Sequence, residues 1–164
     1  MVKPGLRLIG AALLLCAAIP AQKKYAGPRP PKPDVPFLLH AGKLVELETG
    51  TAAESQDKDG TLYTVGGATS PARTPMSEPI FIFQAAKINP DRLSLYKMEV
   101  RGGSRVLLLP PPNKRKKDSA RPLFLMVTPL APGLFKVEVN EFIDNGEYCL
   151  SPEGSNQVFC FTTY

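Results

Sequence analysis

Few side chains in this chain of 164 residues could take part in catalysis. A Ser-His-acid triad would have to use the one histidine, His40, which lies in a predicted hairpin turn, and no G-x-S-x-G motif accompanies it. One histidine and two cysteines that face each other in a hairpin do not make a zinc site. No phosphate-cradling glycine loop or dinucleotide fingerprint is present. The sequence therefore predicts a protein without catalytic residues, cofactor-binding residues or metal ligands.

Carboxylates near the C-terminus leave one catalytic alternative open. Glycoside hydrolysis requires a pair of carboxylates, and several acidic residues lie close together in sequence: Glu138, Glu141, Asp144 and Glu147. Glu138 faces outward on a predicted strand and the others surround a turn, so a solvated surface is the default interpretation. The alternative function is a secreted carboxylate-dependent hydrolase or carbohydrate-active domain that uses Glu141 or Glu147.

Two cysteines near the C-terminus are spaced for a disulfide. The runs Glu147–Leu150 and Val158–Thr162 flank a turn at Gly154-Ser155, which predicts a β-hairpin. In this register Cys149 lies opposite Cys160, within the reach of a disulfide. A slip of one residue would separate the two sulfur atoms, and two free thiols are the alternative. The other face of the hairpin is apolar and should point into a core: Tyr148, Leu150, Phe159 and Phe161.

A basic run is the one surface feature with a strong electrostatic signal. The formal net charge is +5, and most of the excess lies in the consecutive residues Lys114, Arg115, Lys116 and Lys117. These cations repel one another and should be exposed, where they could attract a phosphate- or carboxylate-rich polymer. No aromatic residue lies among them to stack on a base, which disfavours nucleic acid. The run is our predicted binding site for an anionic partner, and a solvated connecting loop is the alternative.

The N-terminus has the features of a secretory signal peptide, which we place at residues 1–21. Lys3 and Arg7 precede an apolar run, Leu8–Ile19, that is shorter than the ~20 residues needed to span a bilayer. We expect cleavage after Ala21, with a periplasmic or extracellular mature protein that does not span the membrane. Lipidation at Cys16 is disfavoured because the preceding residue is not small. Since Cys16 leaves with the signal, the mature chain keeps an even pair of cysteines for a disulfide.

The remaining sequence predicts a Pro-rich linker at residues 22–36 and one all-β domain at 37–164. Hairpins are predicted around Ala41-Gly42 and Gly102-Gly103, and a central strand at Ile80–Phe83, which is apolar on both faces. Irregular segments are predicted at 49–60, as a mobile polar loop, and at 66–79.

A single helical turn is expected at Ala85–Ile88, and a β-bulge near Leu95, where the apolar alternation changes phase. We count eight or nine strands, which favours an antiparallel sandwich.

The segment Asp144-Asn145-Gly146-Glu147-Tyr148 resembles the tyrosine corner of immunoglobulin-like sandwiches, with Asp144, Gly146 and Tyr148 in the characteristic places. The resemblance implies an immunoglobulin-like β-sandwich in which the Tyr148 hydroxyl bonds to nearby backbone. Leu150 stands where antibody domains have a cysteine, and the chain contains no Trp. The C-terminus is also similar to exported bacterial proteins to which no activity attaches.

We therefore expect an exported, non-catalytic interaction or structural domain of the cell envelope. Its partner would be an envelope protein or an anionic envelope polymer, and no cofactor is expected. A structural accessory domain that pairs a free sheet edge with another protein is a further possibility.

Overall fold

A computed structural model describes residues 24–164. The predicted signal segment 1–21, with Cys16 and the cleavage site, lies outside the described residues. Those residues form thirteen β-strands and two short 3-10 turns, Pro90–Arg92 and Pro112–Lys114, with no α-helix among them. The strands are β1 (Pro36–His40), β2 (Lys43–Glu46), β3 (Glu48–Thr51), β4 (Ala53–Asp57), β5 (Gly60–Gly66), β6 (Arg73–Thr74), β7 (Ile80–Gln84), β8 (Leu93–Arg101), β9 (Ser104–Leu109), β10 (Leu125–Ala131), β11 (Leu134–Val139), β12 (Gly146–Pro152) and β13 (Gln157–Thr163).

An antiparallel five-stranded sheet has the order β10-β11-β7-β1-β2. Its middle strand is β7, as the apolar residues on both faces of Ile80–Phe83 predict. The β1–β2 hairpin pairs His40 with Lys43 across the predicted Ala41-Gly42 turn. The all-β class is therefore confirmed, and the strand pairings among the described residues are antiparallel except for the short parallel pairing of β6 with β13. The predicted count of eight or nine strands was too low.

The other strands form a curled sheet with the order β3-β13-β12-β8-β9-β5-β4, in which the short β6 also pairs with β13. Its curl comes from one continuous segment, 48–57, that reaches both edges. β3 pairs with β13 and β4 pairs with β5. Between them, the N–H of Ala52 donates to the carbonyl oxygen of Asn156 at 2.8 Å. This segment draws the edges together and gives the sheet the shape of a half-barrel with an inner face.

Two apolar cores stabilise this arrangement, one on each face of the curled sheet. The first core lies between the two sheets and includes Phe81 of β7 and Phe161 of β13, whose ring centroids are 5.2 Å apart. The second core fills the inside of the curl and includes Met98 and Leu107. Since strands β8, β12 and β13 contribute to both cores, they are apolar on both faces.

Three local predictions were wrong. Residues 49–60 form parts of β3 and β4 and the turn into β5, not a mobile loop. Strand β8 passes Leu95 in unbroken register with β12, so there is no bulge. Its apolar pattern changes phase because Leu95 faces the first core and Met98 the second. The expected helical turn at Ala85–Ile88 is absent, and the chain instead forms a 3-10 turn at Pro90–Arg92.

The end of the predicted linker packs on the domain. The carboxylate of Asp34 accepts hydrogen bonds from the backbone N–H groups of Ala86, Lys87 and Ile88 at 2.8 to 3.0 Å. Three such donors favour the charged form, and the pKa of Asp34 is lowered despite the opposing effect of burial. Asp34 therefore fixes the chain directly before β1.

Candidate functional site

The basic run lies in the connection between β9 and β10, where backbone hydrogen bonds give the loop a defined shape. The N–H of Lys114 donates to the carbonyl oxygen of Pro111 at 2.8 Å, which closes the 3-10 turn. A second turn follows. In it the N–H of Ser119 donates to the carbonyl oxygen of Lys116 at 3.1 Å, and the N–H of Lys116 donates to the Ser119 hydroxyl at 2.8 Å. The charged side chains therefore project from two successive tight turns.

All four predicted cations, Lys114–Lys117, are exposed. Cations nearby are paired, since Arg101 contacts Glu99 and Arg121 contacts Glu141. Among the described residues, by contrast, the side chains of these four residues take part in no salt bridge or hydrogen bond. Their charge is therefore available to a partner.

The loop and the outer face of β8 and β9 enclose a surface groove of about 740 Å³, which we call the basic groove. Its cations are Lys97, Arg101, Lys114, Arg115 and Lys116. Its carboxylates are fewer: Asp59, Glu99 and Asp118. Val106, Leu108 and Pro110 supply an apolar floor. The groove can thus contact both the charge and the apolar backbone of an anionic chain.

Cys149 and Cys160 form the predicted disulfide, with an S–S distance of 2.03 Å. The register is the predicted one, since Cys149 pairs with Cys160, Tyr148 with Phe161, and Leu150 with Phe159. The disulfide belongs to the second core and is buried inside the curl. It joins the two strands of the closing hairpin and lies apart from the basic run.

Tyr148 makes the backbone contact that the tyrosine-corner resemblance implies. Its hydroxyl donates to the carbonyl oxygen of Asp144 at 2.8 Å, and its ring stacks on Phe161 with centroids 5.6 Å apart. Burial, followed by the nearby charge of Asp144, raises the pKa of Tyr148 to about 12. Gly146 has a φ of 154°, which L side chains rarely adopt. Asp144, Gly146 and Tyr148 thus act together as a structural corner before β12.

Glu141 and Glu147, the two carboxylates proposed for hydrolysis, are occupied by protein contacts. Both oxygen atoms of Glu141 accept from the Arg121 guanidinium, and one also accepts from the Phe124 N–H at 2.7 Å. The Arg121 hydrogen bonds lower the pKa of Glu141, opposite to what a general acid needs. Glu147 is buried, where it accepts from the Ser70 N–H at 3.0 Å and the Thr162 hydroxyl at 2.8 Å. His40 ends β1, directly before the hairpin turn.

The sequence did not single out Arg105, which is only 1% exposed. Its guanidinium donates to both carboxylate oxygen atoms of Glu48 at 2.6 and 2.7 Å and to the carbonyl oxygens of Gly66 and Gly67 at 2.7 and 2.9 Å. These hydrogen bonds lower the pKa of Glu48. The alternation of side chains along β9 could have identified Arg105. It lies on the same strand face as Leu107 and Leu109, so the pattern places a cation at an inward-facing position.

Within residues 24–164, no helix is long and apolar enough to cross a membrane, and no group of three or more His, Cys, Asp or Glu residues is placed to hold a metal ion. No protein-family model matches the sequence, and neither a curated protein nor a solved structure is significantly similar to the chain.

Proposed function

We propose that this protein is an exported, non-catalytic domain of the cell envelope that binds an anionic envelope polymer through the basic groove. The observation that carries the proposal is the run Lys114–Lys117, whose exposed charges lack partners within the described part of the chain. Three of the four, Lys114, Arg115 and Lys116, border a groove of about 740 Å³. Export rests on the signal-like sequence at residues 1–21. The observations give less support to an acidic protein segment, because residues 113–118 of the loop are all exposed and polar or charged, whereas the centres of protein interfaces are depleted in charged residues.

We further propose that the two sheets are a divergent immunoglobulin-like β-sandwich. Support comes from the Tyr148 corner and from the core shared by the two sheets. The curl of the larger sheet distinguishes it from the antibody pattern, in which two open sheets pack face to face.

The groove favours a repeating anion over a single small one. Attraction between exposed charges extends only ~8 Å at physiological ionic strength, so each cation acts on groups in direct reach. Four adjacent cations therefore bind a chain with closely spaced phosphates or carboxylates better than they bind an isolated ion. The apolar floor of Val106 and Leu108 can contact the carbon skeleton between these charges.

The hydrolase alternative has less support. Glu141 is held by Arg121, and Glu147 is buried in hydrogen bonds to Ser70 and Thr162. If the protein turned over substrates on a glycan panel and Glu141→Gln or Glu147→Gln abolished that turnover, the hydrolase would replace the binding domain.

The test compares the mature protein with a variant in which Lys114, Arg115, Lys116 and Lys117 are all changed to Gln. Affinity for polygalacturonate and for a teichoic-acid-type polyphosphate is measured between 50 mM and 300 mM salt. We expect the variant to lose at least tenfold in affinity and most of the salt dependence, because fewer counterions are released on binding.

A matched control changes four exposed cations outside the groove to Gln: Lys24, Arg29, Lys43 and Lys87. It removes the same net charge and should keep affinity within about threefold of the wild type. Equal losses in both variants would show that only net charge matters and would reject the groove. Absence of binding to either polymer would reject the proposal, and crosslinking from an envelope extract would then test for a protein partner.

A further inference from the structure

The inner face of the curled sheet changes from polar to apolar along its strands. On β9 the successive inward residues are Arg105, Leu107 and Leu109. The buried Arg105 pairs with the half-buried Glu48, Leu107 lies in the second core, and Leu109 lines an open cavity of about 410 Å³. The polar cluster therefore closes one end of the curl, and the cavity occupies the other.

Apolar side chains form the inner wall of this cavity. Met98, Leu107 and Val158, all buried, line it together with Cys149 of the disulfide. Tyr63 and Tyr96, both half-buried, line it nearer its mouth. A volume of about 410 Å³ is within the range of small-molecule sites, which are usually mostly apolar with a few polar groups. The cavity thus fits a small ligand with an apolar body.

The polar groups of the cavity are neutral or acidic. Its lining contains Glu54 and Glu153 but no Lys, Arg or His. Glu153 is neutralised by Arg92 at 2.9 Å. Glu54 accepts one hydrogen bond from the Asn156 amide at 3.1 Å, and no salt bridge between described residues includes it. Glu54 is therefore the one lining charge without a protein counterion among residues 24–164.

The two tyrosines act in the same electrostatic direction as Glu54. Aromatic rings attract cations through their negative faces. Burial, followed by the charges of Glu54 and Tyr96, raises the pKa of Tyr63, so its phenol stays neutral and keeps its hydroxyl proton. An anionic ligand would be repelled by Glu54 with no cation in the lining to compensate. A wholly apolar ligand would make no favourable electrostatic contact with the carboxylate of Glu54.

We propose that this cavity binds a small organic cation with an apolar body. The ammonium group would lie at the mouth between Glu54 and the tyrosines, and the apolar body would pack against Met98, Leu107 and Val158. This site is distinct from the basic groove and takes a ligand of the opposite charge. It therefore does not depend on the proposed polymer binding.

The test uses three probes that share one phenylpropyl body. They are 3-phenylpropyltrimethylammonium, the neutral 3-phenyl-1-propanol and the anionic 3-phenylpropanesulfonate, titrated calorimetrically into the disulfide-bonded protein. We expect the cation to bind at least tenfold more tightly than the alcohol, and the sulfonate least. The Glu54→Gln variant should lower the affinity for the cation toward that for the alcohol, so that only the preference contributed by the tyrosine rings remains, and should leave the affinity for the alcohol unchanged.

Two variants control for position. Glu78, exposed and outside the cavity, provides a Glu78→Gln change that removes the same charge and should leave all affinities unchanged. Leu109→Trp places a large ring in the cavity and should abolish binding of all three probes.

The methionine methyl groups provide a readout that needs no variant. With ¹³C-labelled methionine methyls, the cation should shift the signal of the buried Met98 and leave those of Met76 and Met126, which are 46% and 44% exposed, in place. Equal affinity for cation and alcohol, or no effect of Glu54→Gln, would overturn the proposed ligand class. Absence of binding by every probe, or a shift of Met76 and Met126 in place of Met98, would overturn the site itself.

Discussion

At the scale of single residues, the ion pair of Arg105 with Glu48 has the greatest structural effect. Arg105 binds one carboxylate and two backbone carbonyls, and it also lies 3.9 Å from a carboxylate oxygen of Glu147. A buried charge is tolerated only when such partners compensate for its lost hydration. The same contacts link β3 and the end of β5 to β9 within the curled sheet. Arg105 therefore organises the closed end of the curl.

We predict that Arg105→Met lowers the free energy of unfolding by about 3–5 kcal/mol, because it leaves the buried Glu147 and the half-buried Glu48 without their counterion. The matched control is Arg101→Met on the same hairpin, whose exposed pair with Glu99 should contribute at most about 1 kcal/mol. Urea unfolding followed by circular dichroism measures both. Equal effects of the two substitutions would contradict the role given to Arg105.

The pair with Arg105 also predicts a pH dependence. The pKa of Glu48 is lowered from its ordinary value of 4.5 in the folded state. Its contribution to stability is therefore present above about pH 4.5 and is lost as the pH falls through the lower folded value. In Glu48→Gln this part of the acid-induced loss should be absent, so the stability difference from wild type should narrow below pH 4.5. A constant difference between pH 3 and 7 would show that Glu48 is not the titrating group.

The contribution of Tyr148 to stability has the opposite pH dependence to that of Glu48, because it is lost as the pH rises. Because its pKa rises from 10.0 to about 12 on folding, the contribution of Tyr148 is complete below pH 10 and declines as the pH approaches 12. We predict that Tyr148→Phe costs about 1 kcal/mol at pH 7, the usual effect of losing one hydrogen bond. The difference should shrink above pH 10, which urea unfolding at pH 8 and 11 would detect. If Tyr148→Phe had the same effect on the free energy of unfolding at pH 8 and pH 11, ionisation of Tyr148 would not explain a loss of stability at alkaline pH.

At the scale of elements, the C-terminal hairpin was predictable and the segment 48–57 was not. The register of β12 with β13 follows from clean alternation, a glycine turn and two cysteines that must face each other. β4 lacks such a signal because all five of its residues are exposed, and a strand that is solvated on both faces has the composition of a loop. Its pairing with β5 and the contact of β3 with β13 decide its structure.

Much of the candidate site was similarly hidden from the sequence. The charge and exposure of Lys114–Lys117 follow from composition, because adjacent cations repel one another. The groove beside them depends on how the loop lies over β9, and the cavity depends on the curl of the sheet. Both are long-range properties that the local pattern does not contain. The change of phase between Leu95 and Met98 led to the wrong prediction of a β-bulge, because the sequence pattern does not reveal that β8 contacts a core on each of its faces.

The turn between β4 and β5 brings Gly60 close to the end of β9. Gly60 has a φ of 152°, and a Cβ atom there would collide with the backbone carbonyl of Leu109. We predict that Gly60→Ala lowers the free energy of unfolding by about 1–3 kcal/mol through this conflict. Gly66→Ala at the other end of β5 has open space around it and should change stability by less than about 1 kcal/mol. Urea unfolding of both variants tests the pair, and equal effects would contradict the argument.

At the scale of the whole molecule, strand β9 separates the two proposed binding sites. Val106 and Leu108 line the basic groove and Leu109 lines the cavity inside the curl, whereas Leu107 borders both. Alternation along one strand thus supplies an apolar floor for each site. The two sites differ in the charges that surround them, since unpaired cations lie beside the basic groove and the carboxylate of Glu54 lies at the cavity. A polyanion and an organic cation could therefore bind to the same protein without competing.

The two cores should unfold together because they share β8, β12 and β13. Removing contacts in the first core with Phe81→Ala should cost about 3–5 kcal/mol, and Leu107→Ala in the second about 2–5 kcal/mol. We predict a single transition in both variants, because neither core can be lost without exposing the other face of the shared strands. Val100→Ala, at a side chain that is 53% exposed, should change stability by less than about 0.5 kcal/mol.

Two probes decide whether the unfolding is cooperative. Far-UV circular dichroism follows all strands, whereas tyrosine fluorescence follows mainly the curled sheet, which contains Tyr63, Tyr96 and Tyr148. Coincident transitions in urea are the expected result for one cooperative unit. If Phe81→Ala instead lost part of its circular dichroism before the fluorescence changed, the five-stranded sheet would unfold on its own. The curled sheet, with its disulfide and its internal ion pair, would then be the independently stable part of the molecule.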